Sequence, residues 1–212
     1  MEPGRREGGL MEGFGAAQGA VGPGNHLSPE LAQKIRMVVL DVDGVLTDGG
    51  VYVGELPGGE ALEMKQFDIQ DGLGVKLLQW AGVEVVVVSG RLSRATEIRA
   101  EELGIKECHQ DGGAQKVRII LRLMRERGLD WGQIAMLADD LPDLAVLRRV
   151  GLPAVVANAT PEARDAAVWQ ARKSGGRGAV REFCEAILKA RGDWEVQVEA
   201  YVDARSGDGE KG

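Results

Sequence analysis

Short continuous apolar runs alternate with longer stretches of helical spacing through most of this chain. Arg36 to Leu40, Val83 to Val88, Ile105 to Cys108, Ile134 to Leu137 and Pro153 to Val156 are too short for helices and rich in β-branched residues. Each predicts a strand buried on both faces. Helical patterns lie between them at Gly72 to Trp80, Arg94 to Leu103, Ala114 to Arg127 and Pro142 to Arg149. The alternation predicts an α/β fold, a doubly wound parallel sheet with helices on both faces. One stretch breaks the pattern: Val51-Tyr52-Val53 and the run around Met64 flank Leu56-Pro57-Gly58-Gly59. A β-hairpin insert over residues 51–67 is expected. After the last strand, Gly175-Gly176-Arg177-Gly178-Ala179-Val180-Arg181-Glu182 leads into a helix reaching about Ala190, and a shorter one runs from Asp193 to Tyr201.

The two ends have a different texture. Residues 1 to about 27 carry many glycines and few large apolar groups, too little to offset the entropy of ordering them, and residues 203–212 read the same way. A single domain over 28–202 between two disordered segments is the expected organisation. With 212 residues and 22.7 kDa the chain can bury one ordinary core.

Charge narrows the partners. Lys+Arg 26 against Asp+Glu 33 leaves a net charge of −7, which supports neither a nucleic-acid surface nor an anionic-membrane patch. No apolar stretch approaches the roughly 20 residues that cross a bilayer, and the amino terminus lacks the apolar core of a signal peptide, so a cytoplasmic protein is expected. Cys108 and Cys184 have no thiol or histidine nearby at metal-ligand spacing and read as packed thiols. A small-molecule partner is left.

The candidate chemistry sits at strand ends. Asp41 and Asp43, in Asp41-Val42-Asp43-Gly44-Val45-Leu46-Thr47-Asp48-Gly49, close the first strand at its carboxyl end, where open α/β sheets bind ligands. Two carboxylates so close need a cation, and hard oxygen ligands suit Mg²⁺. The second strand ends in Ser89-Gly90-Arg91, whose hydroxyl and backbone N–H groups can bind a phosphoryl oxygen. Lys116 opens the helix after the third strand, and Asp139-Asp140-Leu141-Pro142-Asp143 closes the fourth. Phosphoryl transfer needs this combination, because a phosphate dianion resists an anionic nucleophile until its charge is cancelled. Asp41 would attack phosphorus and Asp43 would handle the proton.

Taken in order, these four segments resemble the haloacid dehalogenase-like phosphohydrolases. The resemblance implies Asp41 as nucleophile, Asp43 as acid/base and, through its backbone carbonyl, a metal ligand, Ser89 as phosphate ligand and Lys116 as counter-charge. It also implies Asp139 as the Mg²⁺ ligand of the fourth motif, with Asp140 and Asp143 orienting metal water and Lys116. Ala138 stands where that motif usually begins with Gly.

The wider stretches Asp68-Ile69-Gln70-Asp71-Gly72-Leu73-Gly74 and Gly175 to Glu182 are similar to one branch, the capless phosphatases of 3-deoxy-D-manno-octulosonate 8-phosphate and related nine-carbon sugar-acid phosphates. That likeness implies a sugar-acid phosphate substrate, supply of the free acid for lipopolysaccharide synthesis, and a homotetramer. Gly44, Thr47, Gln70, Gly90, Arg91 and Arg177 become candidate substrate contacts. The octulosonate enzymes commonly carry Arg where Gln70 stands, which keeps a nonulosonate 9-phosphate or another small phosphomonoester as an alternative.

Spacing agrees with a capless site: only about 20 residues separate Lys116 from Asp139, and the segment from Asp43 to Ser89 holds a hairpin and one helix, too little for a lid domain. A signalling receiver domain also combines carboxylates, Mg²⁺ and Lys, but places its phosphorylated Asp on a later strand. A non-catalytic oligomerisation module would not need the full set of catalytic positions.

Overall fold

Strand β1, Met37–Leu40, is wholly buried and forms the axis of the molecule. Valine and leucine on both of its faces can be satisfied only between two layers of helices. The computed structural model describes residues 24–206 and builds a six-stranded, all-parallel sheet around this strand. The other strands are β4 (Glu84–Ser89), β5 (Glu107–Gln110), β6 (Ile134–Ala138), β7 (Leu152–Val155) and β8 (Trp169–Gln170), in the spatial order β5-β4-β1-β6-β7-β8. The chain winds outward from β1 in one direction, then returns beside β1 and winds outward in the other. The doubly wound fold expected from the alternation is the one observed.

Around the sheet lie α1 (Pro29–Lys34), α2 (Ile69–Trp80), α3 (Arg94–Glu102), α4 (Lys116–Arg127), α5 (Leu144–Leu147), α6 (Pro161–Asp165), α7 (Ala179–Arg191) and α8 (Trp194–Ser206). The hairpin insert is present as β2 (Tyr52–Glu55) paired antiparallel to β3 (Ala61–Met64). Among the described residues there is no further domain above the sheet edge, and no helix is long and apolar enough to cross a membrane.

Several boundaries differ from the sequence reading, each for a local reason. Strand β5 pairs over Glu107–Gln110, two residues beyond the expected run, because it follows the register of β4 (Val86 with Glu107) rather than its own hydropathy. Helix α2 begins at Ile69 instead of Gly72, since the Asp68 carboxylate caps it by accepting from the Gln70 N–H at 2.8 Å. Gln70 therefore sits on a helical turn and not in a loop. The helix expected from Pro142 splits into a 3₁₀ turn, Leu141–Asp143, and the short α5. Three short elements, α1, α6 and β8, carry no periodicity of their own.

The glycine-rich extension and the tail lie largely outside the described residues. Where they enter, the boundaries are tighter than expected. Gly24 pairs with Trp169, Leu27 is buried, and α8 continues to Ser206.

The largest buried aromatic pair joins the end of the sheet to the carboxyl-terminal helix: Trp169 of β8 and Phe183 of α7 meet with ring centroids 5.0 Å apart, and both are sealed from solvent. Phe183→Ala would leave a cavity in that seam. We expect it to lower stability by about 3–5 kcal/mol, read from the urea midpoint; a loss below 1 kcal/mol would show that this pair does not anchor α7.

Candidate active site

In-register parallel pairing decides what meets at the carboxyl edge. Leu40 lies opposite both Val87 of β4 and Leu137 of β6, so Asp41, Ser89 and Asp139 leave the sheet at nearly one level. Asp41 stays tied to the sheet through its N–H, which donates to the Leu137 carbonyl at 3.2 Å. The chain then makes a tight turn, Val42–Leu46, in which Gly44 takes φ 94°. Glycine is required there twice over: an L-residue resists that dihedral, and any Cβ would overlap the Asp139 carboxylate.

Lys116 is the hub. Its ammonium lies 2.7 Å from Asp41 Oδ1 and 2.7 Å from Asp143 Oδ1, with only 2% of the side chain exposed. A short loop delivers it: Asp111 donates its N–H to the Ser89 carbonyl, and its carboxylate accepts from the Gly113 and Gln115 N–H groups. Ala114 in that loop holds φ 50°, a conformation L-residues seldom adopt. Burial works against the Lys116 charge, but Asp41 and Asp143 outweigh it, and the pKa is raised.

Asp41, Asp139 and Asp143 each present a carboxylate oxygen within 4.8 Å of one another. One buried ammonium cannot neutralise all three. Burial first, then the charges of Asp41, Asp143 and Asp140, push Asp139 up to about 8, and burial with Asp41 likewise raises Asp143. A site that penalises its own ionisation this strongly, built from hard oxygen donors, fits a divalent cation such as Mg²⁺.

The remaining expected residues divide. Ser89 is buried, and its Oγ accepts from the Arg91 N–H at 3.1 Å, which fixes the hydroxyl at the turn after β4. Gly90 packs close to Ala114, linking that turn to the loop carrying Lys116. Asp143 touches Lys116, whereas Asp140 caps the 3₁₀ turn by accepting from the Leu141 N–H. Thr47 is fully buried, and its hydroxyl accepts from the Gly44 and Gly49 N–H groups and donates to the Val42 carbonyl. Its polar capacity is used up in shaping the loop. Arg91 and Arg177 are half-exposed but engaged, Arg91 with Glu63 at 2.9 Å and Arg177 with Asp48 at 3.4 Å. Gln70 is exposed on the first turn of α2.

Two functional features were not foreseen. Lys65, just past β3, places its ammonium 2.7 Å from Asp43 Oδ1. The second is a buttress behind the turn Val42–Leu46. Gly175 and Gly176 lie directly against it: the Gly176 N–H donates to the Val45 carbonyl at 3.0 Å, and a Cβ on Gly175 would overlap the Gly44 and Thr47 carbonyl oxygens. Helix α7 follows at once, and its cap residue Gly178 has no side chain to offer. Asp71 of α2 supplies the missing acceptor, taking the Arg181 N–H at 2.8 Å. The doublet of glycines was visible in the sequence; the cap from a residue 110 positions away was not.

Carboxylates aligned on a strand end, a buried lysine between them and an open sheet edge define a phosphohydrolase of the haloacid dehalogenase-like class. No protein-family model matches the chain. The 3-deoxy-D-manno-octulosonate 8-phosphate phosphatase KdsC of Escherichia coli K12 is 38% identical over 161 residues, spanning 76% of this chain and 83% of KdsC. Among solved structures, the 3-deoxy-D-manno-octulosonate 8-phosphate phosphatase of Moraxella catarrhalis, in complex with magnesium, phosphate and KDO, matches with TM-score 0.76 and 35% identity, covering 82% of this chain and 97% of that one. A probable YrbI family phosphatase from Pseudomonas syringae gives TM-score 0.75 at 44% identity, covering 82% of this chain and 98% of that one. The chain belongs to the 3-deoxy-D-manno-octulosonate 8-phosphate phosphatase family.

Burial raises Asp71 to about 6 from an ordinary 3.8, against the lowering effect of the Arg181 amide. A carboxyl that binds its proton more tightly folded than unfolded favours folding when protonated. That contribution is complete below 3.8 and is lost as pH rises through about 6. Relative to Asp71→Asn, wild type should therefore lose about 2–3 kcal/mol between acid and neutral pH, measured as the difference in urea stability. Parallel pH profiles for the two proteins would remove Asp71 as the group responsible.

Proposed function

We propose that the chain is a Mg²⁺-dependent phosphomonoesterase that hydrolyses 3-deoxy-D-manno-octulosonate 8-phosphate to the free sugar acid and phosphate, supplying that acid for lipopolysaccharide synthesis. The observation that carries this reading is Lys116 buried between Asp41 and Asp143, with Asp139 in the same cluster. Asp41 is the nucleophile: its carboxylate oxygen bonds to phosphorus as the ester P–O bond breaks, giving an aspartyl phosphate. The electron pair leaves with the sugar oxygen, and Asp43 supplies that oxygen with a proton. Asp43 then takes a proton from water as the water oxygen displaces Asp41 from phosphorus. Ser89 and the N–H groups of the turns after β1 and β4 hold the phosphoryl oxygens. Lys116 keeps Asp41 oriented and offsets negative charge throughout.

Asp41, Asp139 and the Asp43 backbone carbonyl would hold Mg²⁺, with Asp140 and Asp143 behind them. When bound, the ion cancels charge on the phosphoryl oxygens. Exposed Tyr52, Val53 and Met64 on the hairpin support a homotetramer in which this insert meets a neighbouring copy, and we place the enzyme in the cytoplasm. Gln70, Arg91 and Arg177 rim the site as sugar-acid contacts. Gln70, uncharged where the octulosonate enzymes commonly carry Arg, favours a second reading with a nonulosonate 9-phosphate or another small phosphomonoester as substrate.

Phosphate release from octulosonate 8-phosphate and from nonulosonate 9-phosphates separates the two readings: the higher kcat/KM names the substrate. Asp41→Asn should reduce release from either ester by at least about 10³-fold without lowering the urea midpoint, since it removes one of three crowded carboxylates. Turnover near the wild-type rate would rule out the covalent route. EDTA should abolish activity and added Mg²⁺ restore it; turnover that survives chelation would refute the metal assignment.

A further inference from the structure

The Lys65 side chain is fully buried, yet it belongs to the base of a hairpin whose strands are otherwise exposed. Its backbone is held on both sides. Tyr52 pairs with Met64 immediately before it, and Phe67, two residues after it, bridges antiparallel to Thr47 of the turn that follows β1. From that fixed position the ammonium reaches Asp43 Oδ1 at 2.7 Å, with Thr96 Oγ1 of α3 at 3.4 Å and Glu63 at 3.9 Å. Glu63 is itself occupied by Ser93 Oγ at 2.5 Å and Arg91 at 2.9 Å, so the close partner of Lys65 is Asp43. A buried ammonium is tolerated only where a carboxylate compensates it. The Asp43 side chain is 22% exposed and could take several rotamers if it were free.

We infer that Lys65 is a positioning residue for proton transfer: it fixes Asp43 through Oδ1 and thereby assigns the transferable proton to Oδ2. An ammonium has only donors, so the oxygen it contacts must stay unprotonated. The proton on Oδ2 passes to the ester oxygen as the P–O bond breaks and the electron pair leaves with that oxygen. The hairpin thus contributes to the chemistry of its own subunit. This inference rests on the phosphatase reading above.

The test compares two esters on one preparation. An alkyl ester, 3-deoxy-D-manno-octulosonate 8-phosphate, needs a proton on its departing oxygen, whereas p-nitrophenyl phosphate releases a stabilised phenolate that does not. Because kcat/KM reports steps only up to alcohol release, hydrolysis of the aspartyl phosphate does not enter. We expect Lys65→Met to lower kcat/KM for the alkyl ester by about 100-fold, at the low end of what general acid catalysis contributes, and to leave the aryl ester within a few fold of wild type. Lys65→Arg should bring the alkyl-to-aryl ratio back toward the wild-type value. Loss of folded protein divides out of that ratio, and Lys65→Gln gives the same reading if methionine cannot be accommodated. An unchanged ratio in the neutral variants overturns the role of Lys65 while leaving the phosphatase intact. A wild-type protein that releases phosphate from neither ester overturns both.

Discussion

Three carboxylates crowded around one buried ammonium are the constraint to which the rest of this structure answers. Asp41 cannot retreat, because it continues the central strand, and Asp139 cannot, because it continues the neighbouring one in register. Asp143 is buried on the turn that follows, and Lys116 is fixed at the start of α4. Left in solvent, such a group of acids would separate or take up protons. Here the sheet holds them at a spacing that favours an additional cation and a highly charged ligand. The valines of β1 and β4, apolar and remote from any chemistry, are what make that spacing rigid.

Rigidity at the sheet edge depends equally on atoms that are missing. Gly44 gives the Asp139 carboxylate room to lie against the backbone of the catalytic turn, and Gly175 lets the carboxyl-terminal segment press on the same turn from behind. Thr47 closes the turn from within by satisfying three backbone groups. Asp71 then ties the segment to the first turn of α2, beside Gln70. The turn after β1, the Asp139 carboxylate, the carboxyl-terminal segment and the first turn of α2 are therefore connected through direct contacts and not merely adjacent.

What could be read from the chain followed from strand ends. Asp41, Ser89, Lys116 and Asp139 were legible because each closes a strand or opens the helix after it, and a parallel sheet carries every such end to one edge. Residues whose roles depend on distant pairing were not. Lys65 looks like any surface lysine of a hairpin until the Thr47–Phe67 bridge folds it onto Asp43. A hydroxyl in an Asp-Gly turn can face either way, so the inward direction of Thr47 could not be read from the sequence. Gln70 lies just before the helix read from Gly72 to Trp80, and the Asp68 cap carries that helix back to include it.

The contact between Gly175 and the turn around Gly44 also has a temporal side. A polypeptide is made from its amino end, so Asp41 and Asp43 exist long before the segment that braces them. Until residues 175–181 emerge and dock, the turn lacks its rear wall and α7 lacks the acceptor that caps it. The turn around Gly44 is therefore complete only once the segment that follows β8 has folded against it.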